Sequence, residues 1–381
     1  MISNDIPTPC FVIEESRLRS NLSRIKTLGE SAGVEFILAF KGFSTWGVFD
    51  IVREYISGAT ASSLHEAMLC SEYMKTKSHT YCVAIADDEI DAIASLSSHI
   101  TFNSLAQLNR HKATAGKHSC SMGLRINPQF SKAKVALYNP GSPTSRLGID
   151  PTTLPAQLPI EVEGMHFHVL CENNSYDLEE VLHHVEAKVG QHLVNLKWLN
   201  IGGGHLVTHE GYDSNHFVKL LKNFKAKYPN LHIIVEPGSA HAWQAGFLKT
   251  TILDIVCTGG ATTANLDISF TAHLPDCLEM PYKPTIEGAH DAMLLDSIPS
   301  QNSYRLGGTS CLAGDYLTEY VFAKPLQVGD TLKLEDMIHY TMVKTSTFNG
   351  VKHPAIGLID KIGNFKIIRT FGYDDFKNKL S

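Results

Sequence analysis

Short apolar runs alternate with longer segments of helical character over the first two thirds of the chain. The runs predict eight buried strands: Glu35–Phe40, Ala59–Ser62, Thr80–Ala84, Ile100–Asn103, Met122–Ile126, Val162–His168, Trp198–Ile201 and His232–Val235. Between the last two, Tyr212–Tyr228 carries apolar residues at helical spacing and predicts a helix. This number of strands with helices between them favours a (β/α)8 barrel over an open sheet.

The pattern changes after the last of these strands. Four later segments are rich in β-branched or alternating apolar residues and predict strands: Thr250–Cys257, Leu266–His273, Thr331–Leu334 and Met337–Thr345. Turn signals separate them, which indicates a mainly antiparallel β-domain. Cys10–Ile13 predicts a further strand that joins the same sheet. We therefore expect an α/β protein with a TIM-like barrel at 14–255 and a β-domain formed by 1–13 and 256–381.

Composition narrows the class of protein. The chain has 381 residues and a net charge of -6, which gives no electrostatic reason to bind nucleic acid or an anionic membrane. No apolar stretch approaches the roughly 20 residues of a membrane helix, and the first residues lack the features of a signal peptide. The eight cysteines form no CxxC pair, as in a reducing compartment. These features predict a cytoplasmic protein.

Polar or glycine-rich segments follow the predicted strands where barrel enzymes place their active sites. The first strand ends at Lys41, where desolvation would lower the pKa of the amine and free it to attack a carbonyl. The alternative is a lysine that has left the core and reached water. The sixth strand ends in His166-Phe167-His168, the seventh in Gly202-Gly203-Gly204 and the eighth in Glu236-Pro237-Gly238.

Each of these later segments has two interpretations. The glycines are either a tight turn or a phosphate-binding loop, and Glu236 is either a structural carboxylate or the partner of a cationic ligand nitrogen. The two histidines share one face of their strand and resemble a metal-binding pair. Hydrolases of this architecture place such a pair on the first strand, which here ends in Lys41. We therefore predict no metal, a core position for His166 and a functional role for His168.

A lysine, a phosphate loop and a carboxylate at three strand ends together describe a site for pyridoxal phosphate. The lysine would link the cofactor covalently, and backbone N–H groups would hold the phosphate. The carboxylate would keep the pyridine nitrogen protonated, which makes the ring a stronger electron sink for a carbanion.

These segments resemble the alanine-racemase-like, fold type III family of pyridoxal phosphate enzymes, and particularly its basic amino acid decarboxylases. Ala39-Phe40-Lys41 is similar to the family segment with the cofactor lysine, and Phe167-His168-Val169 to the one whose histidine stacks on the cofactor ring. The resemblance implies that Glu236 faces the pyridine nitrogen. It also implies phosphate binding by these residues: Gly203, Gly204, Gly238 and Ser239.

The β-domain carries further resemblance. Gly307–Asp315 is similar to the family's "GPxCxxxD" loop, and Met342–Gly350 to the segment after a phosphate-binding tyrosine, which implies that role for Tyr340. In the family, the cysteine and aspartate of that loop reach into the partner's site. The resemblance therefore implies a homodimer in which Cys311 donates the proton to the product and Asp315 binds the distal amine. The alternatives are a buried thiol and a turn aspartate.

Departures from the family pattern bear on the substrate. Leu312 stands where ornithine and diaminopimelate enzymes carry an acidic residue. Ser239 replaces an arginine common in the diaminopimelate enzymes, and the loss of this bidentate anion partner argues against a substrate with a distal carboxylate. The segment 266–284 resembles the carboxynorspermidine decarboxylases, whose substrate is a carboxylated triamine. Asp276 and Glu279 are candidates for binding its remote nitrogens, or ordinary loop carboxylates.

The sequence therefore predicts a decarboxylase of carboxynorspermidine and carboxyspermidine in polyamine biosynthesis. A decarboxylase of diaminopimelate, ornithine or arginine is the alternative within the class. A racemase would need a second base opposite Lys41. A non-catalytic regulator on the same fold is disfavoured because the chain retains Lys41, Glu236, Cys311 and Asp315 together.

Overall fold

The computed structural model describes residues 6–133, 139–280, 282–294 and 302–381. The chain divides into one compact unit of residues 20–241 and a second unit that combines residues 1–19 with 242–381. Residues 1–5 of the predicted β-domain and residue 281 of the predicted substrate segment lie outside the described residues.

The first unit is a parallel barrel. The chain begins with β1 (Cys10–Glu14), which belongs to the second unit, and α1 (Glu15–Ala32). The barrel strands follow as β2 Glu35–Phe36, β3 Leu38–Ala39, β4 Ala59–Ala61, β5 Ser78–Tyr81, β6 Ser97–Phe102, β7 Ser121–Arg125, β8 Val162–His166, β9 Trp198–Asn200 and β10 His232–Val235. Between and after them lie helices α2 Phe49–Arg53, α3 Leu64–Leu69, α4 Ile90–Leu96, α5 Leu105–Ala115, α6 Ser175–Leu193, α7 Ser214–Lys227 and α8 Ser239–Ala242.

The ring closes through the first predicted strand. Its two halves, β2 and β3, meet at Ile37, and β2 pairs with β10 while β3 pairs with β4. The Ile37 N–H donates to Val235 O at 2.9 Å and the Leu38 N–H donates to Gly58 O at 3.0 Å, so this segment is bonded on both sides. The predicted (β/α)8 barrel is thereby confirmed, with its strands in chain order around the ring.

Side-chain caps and tight packing explain why these elements form here. Ser63 accepts the Glu66 N–H at 3.2 Å at the start of α3, and Asn174 and Asp177 form a capping box at the start of α6. In the barrel core, Trp198 lies against β7 and β8, where a Cβ at Gly164 would come within 2.0 Å of its ring. A larger residue at Gly164 would therefore displace the indole.

The second unit is a mixed, mainly antiparallel sheet. Its later elements are β11 Gly246–Thr258, β12 Ala261–Leu266, α9 Phe270–His273, α10 Pro275–Glu279, β13 Ala289–Asp291, β14 Ser303–Gly307, β15 Tyr316–Phe322, β16 Thr331–Glu335, α11 Tyr340–Val343, β17 Ala355–Ile359, β18 Phe365–Arg369 and α12 Tyr373–Lys377. The sheet order is β13-β15-β14-β12-β11-β1-β17-β18, and β16 also pairs with β11. The predicted N-terminal strand is confirmed, because β1 lies between β11 and β17.

Two predicted strands of this unit are wrong. The strand predicted at Leu266–His273 begins where the observed strand β12 already ends, at Leu266. The Ser269 hydroxyl then accepts the Ala272 N–H at 3.1 Å and starts α9. The strand predicted at Met337–Thr345 contains the helical turn α11 instead, whose Thr341 and Met342 are buried. In both places the helix has only four residues, too few for a helical period to be distinguished from the alternation of a strand. The predicted domain boundary at 255 falls within β11.

Among the described residues, no helix combines the length and the apolarity that a membrane span requires.

Candidate active site

The barrel strands bring Lys41 and His168 into contact. Lys41 follows β3, and its Nζ lies 3.2 Å from His168 Nε2. The Lys41 side chain is exposed and so is accessible to a small molecule. The protein packed around the amine still shields it from bulk water, which lowers its pKa; Glu236 opposes this shift and Arg125 adds to it. The residue thus combines access with reduced basicity.

The hydrogen bonds of His168 define its tautomer. The Gly203 N–H donates to His168 Nδ1 at 2.9 Å, so Nδ1 is an acceptor. Burial, and then the Lys41 charge, lower the pKa of His168 well below its ordinary value, so the ring is neutral. The proton of a neutral ring then lies on Nε2, directed at Lys41. The Gly203 amide is therefore engaged by His168.

Glu236 is a buried carboxylate, with 6% of its surface exposed. Its Oε2 accepts hydrogen bonds from Thr60 Oγ1 at 2.6 Å and from Asn200 Nδ2 at 2.8 Å, and its Oε1 lies 3.1 Å from His166 Nε2. Burial alone would raise the pKa of Glu236, but His166 and the Thr60 hydroxyl hold it below its ordinary value. An anion is therefore kept inside the barrel.

Arg125 is, with Thr60 and Asn200, one of the residues of this cluster that the sequence did not indicate. It is 4% exposed, its Nη2 donates to His168 O at 3.2 Å, and its guanidinium lies 4.5 Å from the centre of the Tyr81 ring. Its Nε has no hydrogen-bond partner in the described part of the chain. An arginine within the predicted strand Met122–Ile126 was the available signal, because buried arginines need anionic or aromatic partners.

The glycine segments allow close backbone packing beside this cluster. Gly202 and Gly204 have φ values of +74° and +85°, which favour glycine. A Cβ at Gly238 would lie 2.9 Å from Gly42 Cα, so the segment before Ser239 passes directly against the turn that carries Lys41. Ser239 is the first residue of α8.

The predicted residues of the second unit occupy two places. Cys311 is exposed, and its N–H donates to Asn349 Oδ1 at 3.0 Å. Asp315 is 4% exposed and accepts the Thr271 N–H on Oδ1 at 2.9 Å and the Ser310 N–H on Oδ2 at 3.0 Å. Asp315 therefore organises the loop that presents Cys311.

The two carboxylates predicted to bind remote nitrogens already share an ammonium group. Lys344 Nζ donates to Asp276 Oδ1 at 2.9 Å and also to Glu279. Lys344 follows α11, which begins at Tyr340. The pair can thus hold a primary ammonium.

The barrel residues fit pyridoxal phosphate. Arg125 Nε and His166 Nδ1 are buried polar atoms without hydrogen-bond partners among the described residues, beside an accessible amine and an ionised carboxylate. A phenolate, a pyridine nitrogen and an aldehyde are complementary to such groups. Over the same residues, no set of three metal-type ligands comes together.

The closed barrel and this cluster define a pyridoxal phosphate enzyme, and comparison with known proteins extends this assignment. Residues 16–242 match the family model described as "Pyridoxal-dependent decarboxylase, pyridoxal binding domain". The chain belongs to this family and is a pyridoxal phosphate-dependent carboxy-lyase. The predicted cofactor, enzyme class and family are confirmed.

Full-length relatives agree. The chain is 47% identical over 377 residues to carboxyaminopropylagmatine decarboxylase of Synechocystis sp.. This alignment covers 99% of this chain and 96% of the relative. It is 41% identical to a carboxynorspermidine/carboxyspermidine decarboxylase of Campylobacter jejuni, over 99% of each chain. The crystal structure of the carboxynorspermidine decarboxylase from Campylobacter jejuni complexed with norspermidine superposes with a TM-score of 0.91 and 40% identity, covering 98% of this chain and 100% of that one.

Proposed function

We propose that this enzyme removes the α-carboxylate of carboxynorspermidine and carboxyspermidine in polyamine biosynthesis. The observation that carries the proposal is full-length similarity to the Campylobacter jejuni enzyme, in sequence and in fold, together with a complete lysine–histidine–carboxylate cluster in the barrel. The departure at Ser239 agrees with a substrate that has no distal carboxylate, because serine, unlike arginine, offers no cation to such a group.

A second substrate has specific support. Identity to the Synechocystis carboxyaminopropylagmatine decarboxylase is 47%, against 41% to the Campylobacter enzyme. All three compounds share an α-amino carboxylate head and differ in the cationic tail, which ends in an amine or in a guanidinium group. The chemistry at Lys41 is the same for each, so the residues that meet the tail decide the preference.

The barrel residues have distinct roles in the proposed reaction. When bound, pyridoxal phosphate supplies the electron sink for the carbanion that remains as CO2 leaves. Lys41, an amine of lowered pKa, would be the residue that holds the cofactor covalently. His168 would orient Lys41 through its Nε2 proton and contact the cofactor ring, and Glu236 would be the carboxylate that favours a proton on the ring nitrogen.

We propose a homodimer with two shared sites, in which Cys311 of one subunit protonates the product carbon in its partner's barrel. The exposure of Cys311 and the fixed position of its loop support this role. Asp315, Asp276 and Glu279 would then supply negative charge for the cationic tail, and Gly204, Gly238, Ser239 and Tyr340 would bind the phosphate. The free cysteines of the described residues agree with a cytoplasmic location.

A substrate panel tests the function. The purified enzyme with pyridoxal phosphate is given carboxynorspermidine, carboxyspermidine, carboxyaminopropylagmatine, diaminopimelate, ornithine and arginine, and CO2 release is measured. We expect kcat/KM for one of the three carboxyaminopropyl compounds to exceed that for every simple amino acid by at least about tenfold, or about 1.4 kcal/mol. Higher kcat/KM for diaminopimelate, ornithine or arginine would refute the proposal.

A further inference from the structure

His166 does not have the environment of an ordinary core residue. It is 2% exposed, yet its Nδ1 has no hydrogen-bond partner within the part of the chain that the structure describes. A buried polar group without partners lowers stability. An apolar residue would fill this place at the end of β8 more favourably, unless the imidazole has a function there.

The imidazole lies beside one particular oxygen. His166 Nε2 is 3.1 Å from Glu236 Oε1, whereas Glu236 Oε2 accepts hydrogen bonds from Thr60 and Asn200. The edge of the His166 ring packs against Tyr81, with 5.4 Å between ring centres and 66° between ring planes. Two neutral donors therefore fix one side of the carboxylate, and a ring held by Tyr81 stands at the other.

The surrounding charges determine the state of His166. Burial lowers the pKa of His166; Glu236 opposes this shift, and Arg125 and Lys41 add to it. His168 is the other histidine of this cluster, and its pKa is also lowered, so its imidazole is neutral as well. A neutral His166 with its proton on Nε2 would present an N–H to Oε1, which can only accept.

We propose that His166 is a positioning residue that acts on the cofactor through Glu236, by holding Oε1 while Thr60 and Asn200 hold Oε2. The carboxylate then keeps one orientation and one charge toward the pyridine nitrogen. This inference rests on the proposed contact between Glu236 and that nitrogen.

The experiment measures cofactor affinity rather than turnover. Full-length protein freed of cofactor is titrated with pyridoxal phosphate between pH 4 and pH 9, and binding is followed by absorbance. For His166→Leu we expect the acid limb of the affinity profile to move up by about one pH unit, because Glu236 loses a partner that favours its charged form. At a given pH on that acid limb, affinity should then fall by up to about tenfold. His166→Gln, which retains a donor, should stay within about threefold of the natural protein.

A matched control is His111→Gln. His111 is also 2% exposed but lies on α5, stacked near Phe102 with ring centres 6.5 Å apart. The pH profile of cofactor affinity of His111→Gln should match that of the natural protein. If the affinity profile of Glu236→Gln changes but that of His166→Leu does not, the inference about His166 is overturned and the role of Glu236 stands. If the profile of Glu236→Gln does not change, the proposed contact between Glu236 and the pyridine nitrogen is overturned as well. If His166→Leu does not fold, His166→Asn replaces it, since its shorter amide does not reach Oε1; identical Asn and Gln profiles would then refute the proposal.

Discussion

Lys41 combines an exposed side chain with an amine whose pKa is lowered mainly by the protein packed around it. The Nε2 proton of His168 is directed at its Nζ. Because His168 Nδ1 is engaged by the Gly203 N–H, the ring cannot turn over without losing that bond. The glycine loop after β9 thus sets the direction of a proton at Lys41.

Replacing Lys41 by Ala should abolish covalent attachment of the cofactor. After borohydride reduction and denaturation, mass spectrometry should find the cofactor on the natural protein and not on Lys41→Ala. Lys219→Ala, which changes an exposed lysine of α7, is the control and should retain it. Cofactor on a tryptic peptide other than the one containing residue 41 would contradict the assignment.

Thr60 contributes to the charge of Glu236 through one hydroxyl. Thr60→Val keeps the shape but removes the 2.6 Å hydrogen bond to a buried carboxylate, so we expect the free energy of unfolding to fall by about 1–3 kcal/mol in urea titrations. The control is Thr80→Val on β5, whose hydroxyl is bonded to those of Ser78 and Ser97. Since those partners are neutral, the loss should be smaller, and cofactor affinity should stay unchanged. Equal effects of both variants on affinity would argue against a role for Thr60 at the cofactor.

Local sequence could identify Lys41 and Glu236 because each directly follows an apolar run and precedes a glycine or a Pro-Gly turn. Thr60, Asn200 and Arg125 could not be found in this way. They lie inside the predicted strands, and their importance arises only when β4, β7 and β9 come round the same barrel to Glu236 and His168. Contacts between distant segments are a property of the closed ring rather than of a segment.

At the scale of elements, the turns after β3 and β10 must approach each other closely. Gly238→Ala would place a Cβ 2.9 Å from Gly42 Cα, and separating the two backbones should reduce the free energy of unfolding by about 1–3 kcal/mol. Cofactor affinity should fall with it. Gly372→Ala is the control, because a Cβ there meets nothing within 4 Å. Thermal unfolding and cofactor titration of both variants measure these effects. Equally small effects of Gly238→Ala and Gly372→Ala would show that the close approach of Gly238 to Gly42 is unimportant.

Two neighbouring histidines of β5 and β6 make the stability of the barrel depend on pH. His79 of β5 and His99 of β6 pack with 4.0 Å between ring centres; burial and then the His99 charge lower the pKa of His79 to about 3. The unfolded chain, with a histidine pKa near 6.5, binds more protons below that pH than the folded barrel does. The neutral ring therefore stabilises the fold fully above pH 6.5, and this contribution is lost as the pH falls towards 3.

We expect the free energy of unfolding to fall by at most about 1.4 kcal/mol per pH unit for His79 between pH 6.5 and pH 4. Urea titrations at pH 7, 6 and 5 measure this slope. His79→Gln should have a shallower slope than the natural protein, whereas His209→Gln, at an exposed loop residue, should keep it. Parallel slopes for His79→Gln and the natural protein would exclude this origin of acid sensitivity.

At the scale of the whole molecule, periodicity was reliable for the barrel and less so for the β-domain. The eight barrel runs correspond to β2–β10 because most of these strands are buried on both faces and rich in apolar residues, with β5, Ser78–Tyr81, the exception of alternating burial. Phe270–His273 and Tyr340–Val343 are helical turns too short for their period to be distinguished from alternation. Asp276 and Lys344 follow these two turns closely in sequence, so the region proposed to bind the substrate tail is where the sequence was least informative.

The proposed sharing of sites between subunits can be tested by mixing two inactive variants. Lys41→Ala should lack the cofactor linkage, and Cys311→Ala should lose most product protonation. If Cys311 serves its partner's barrel, a mixed dimer contains one barrel with Lys41 opposite one intact Cys311. Random exchange makes half of the dimers mixed, each with one of two sites intact, so about a quarter of natural activity should return. Mixing Lys41→Ala with His168→Ala should restore none, because both residues belong to the same barrel. Activity no higher than the sum of the two separate variants in the first mixture would show that each subunit works alone.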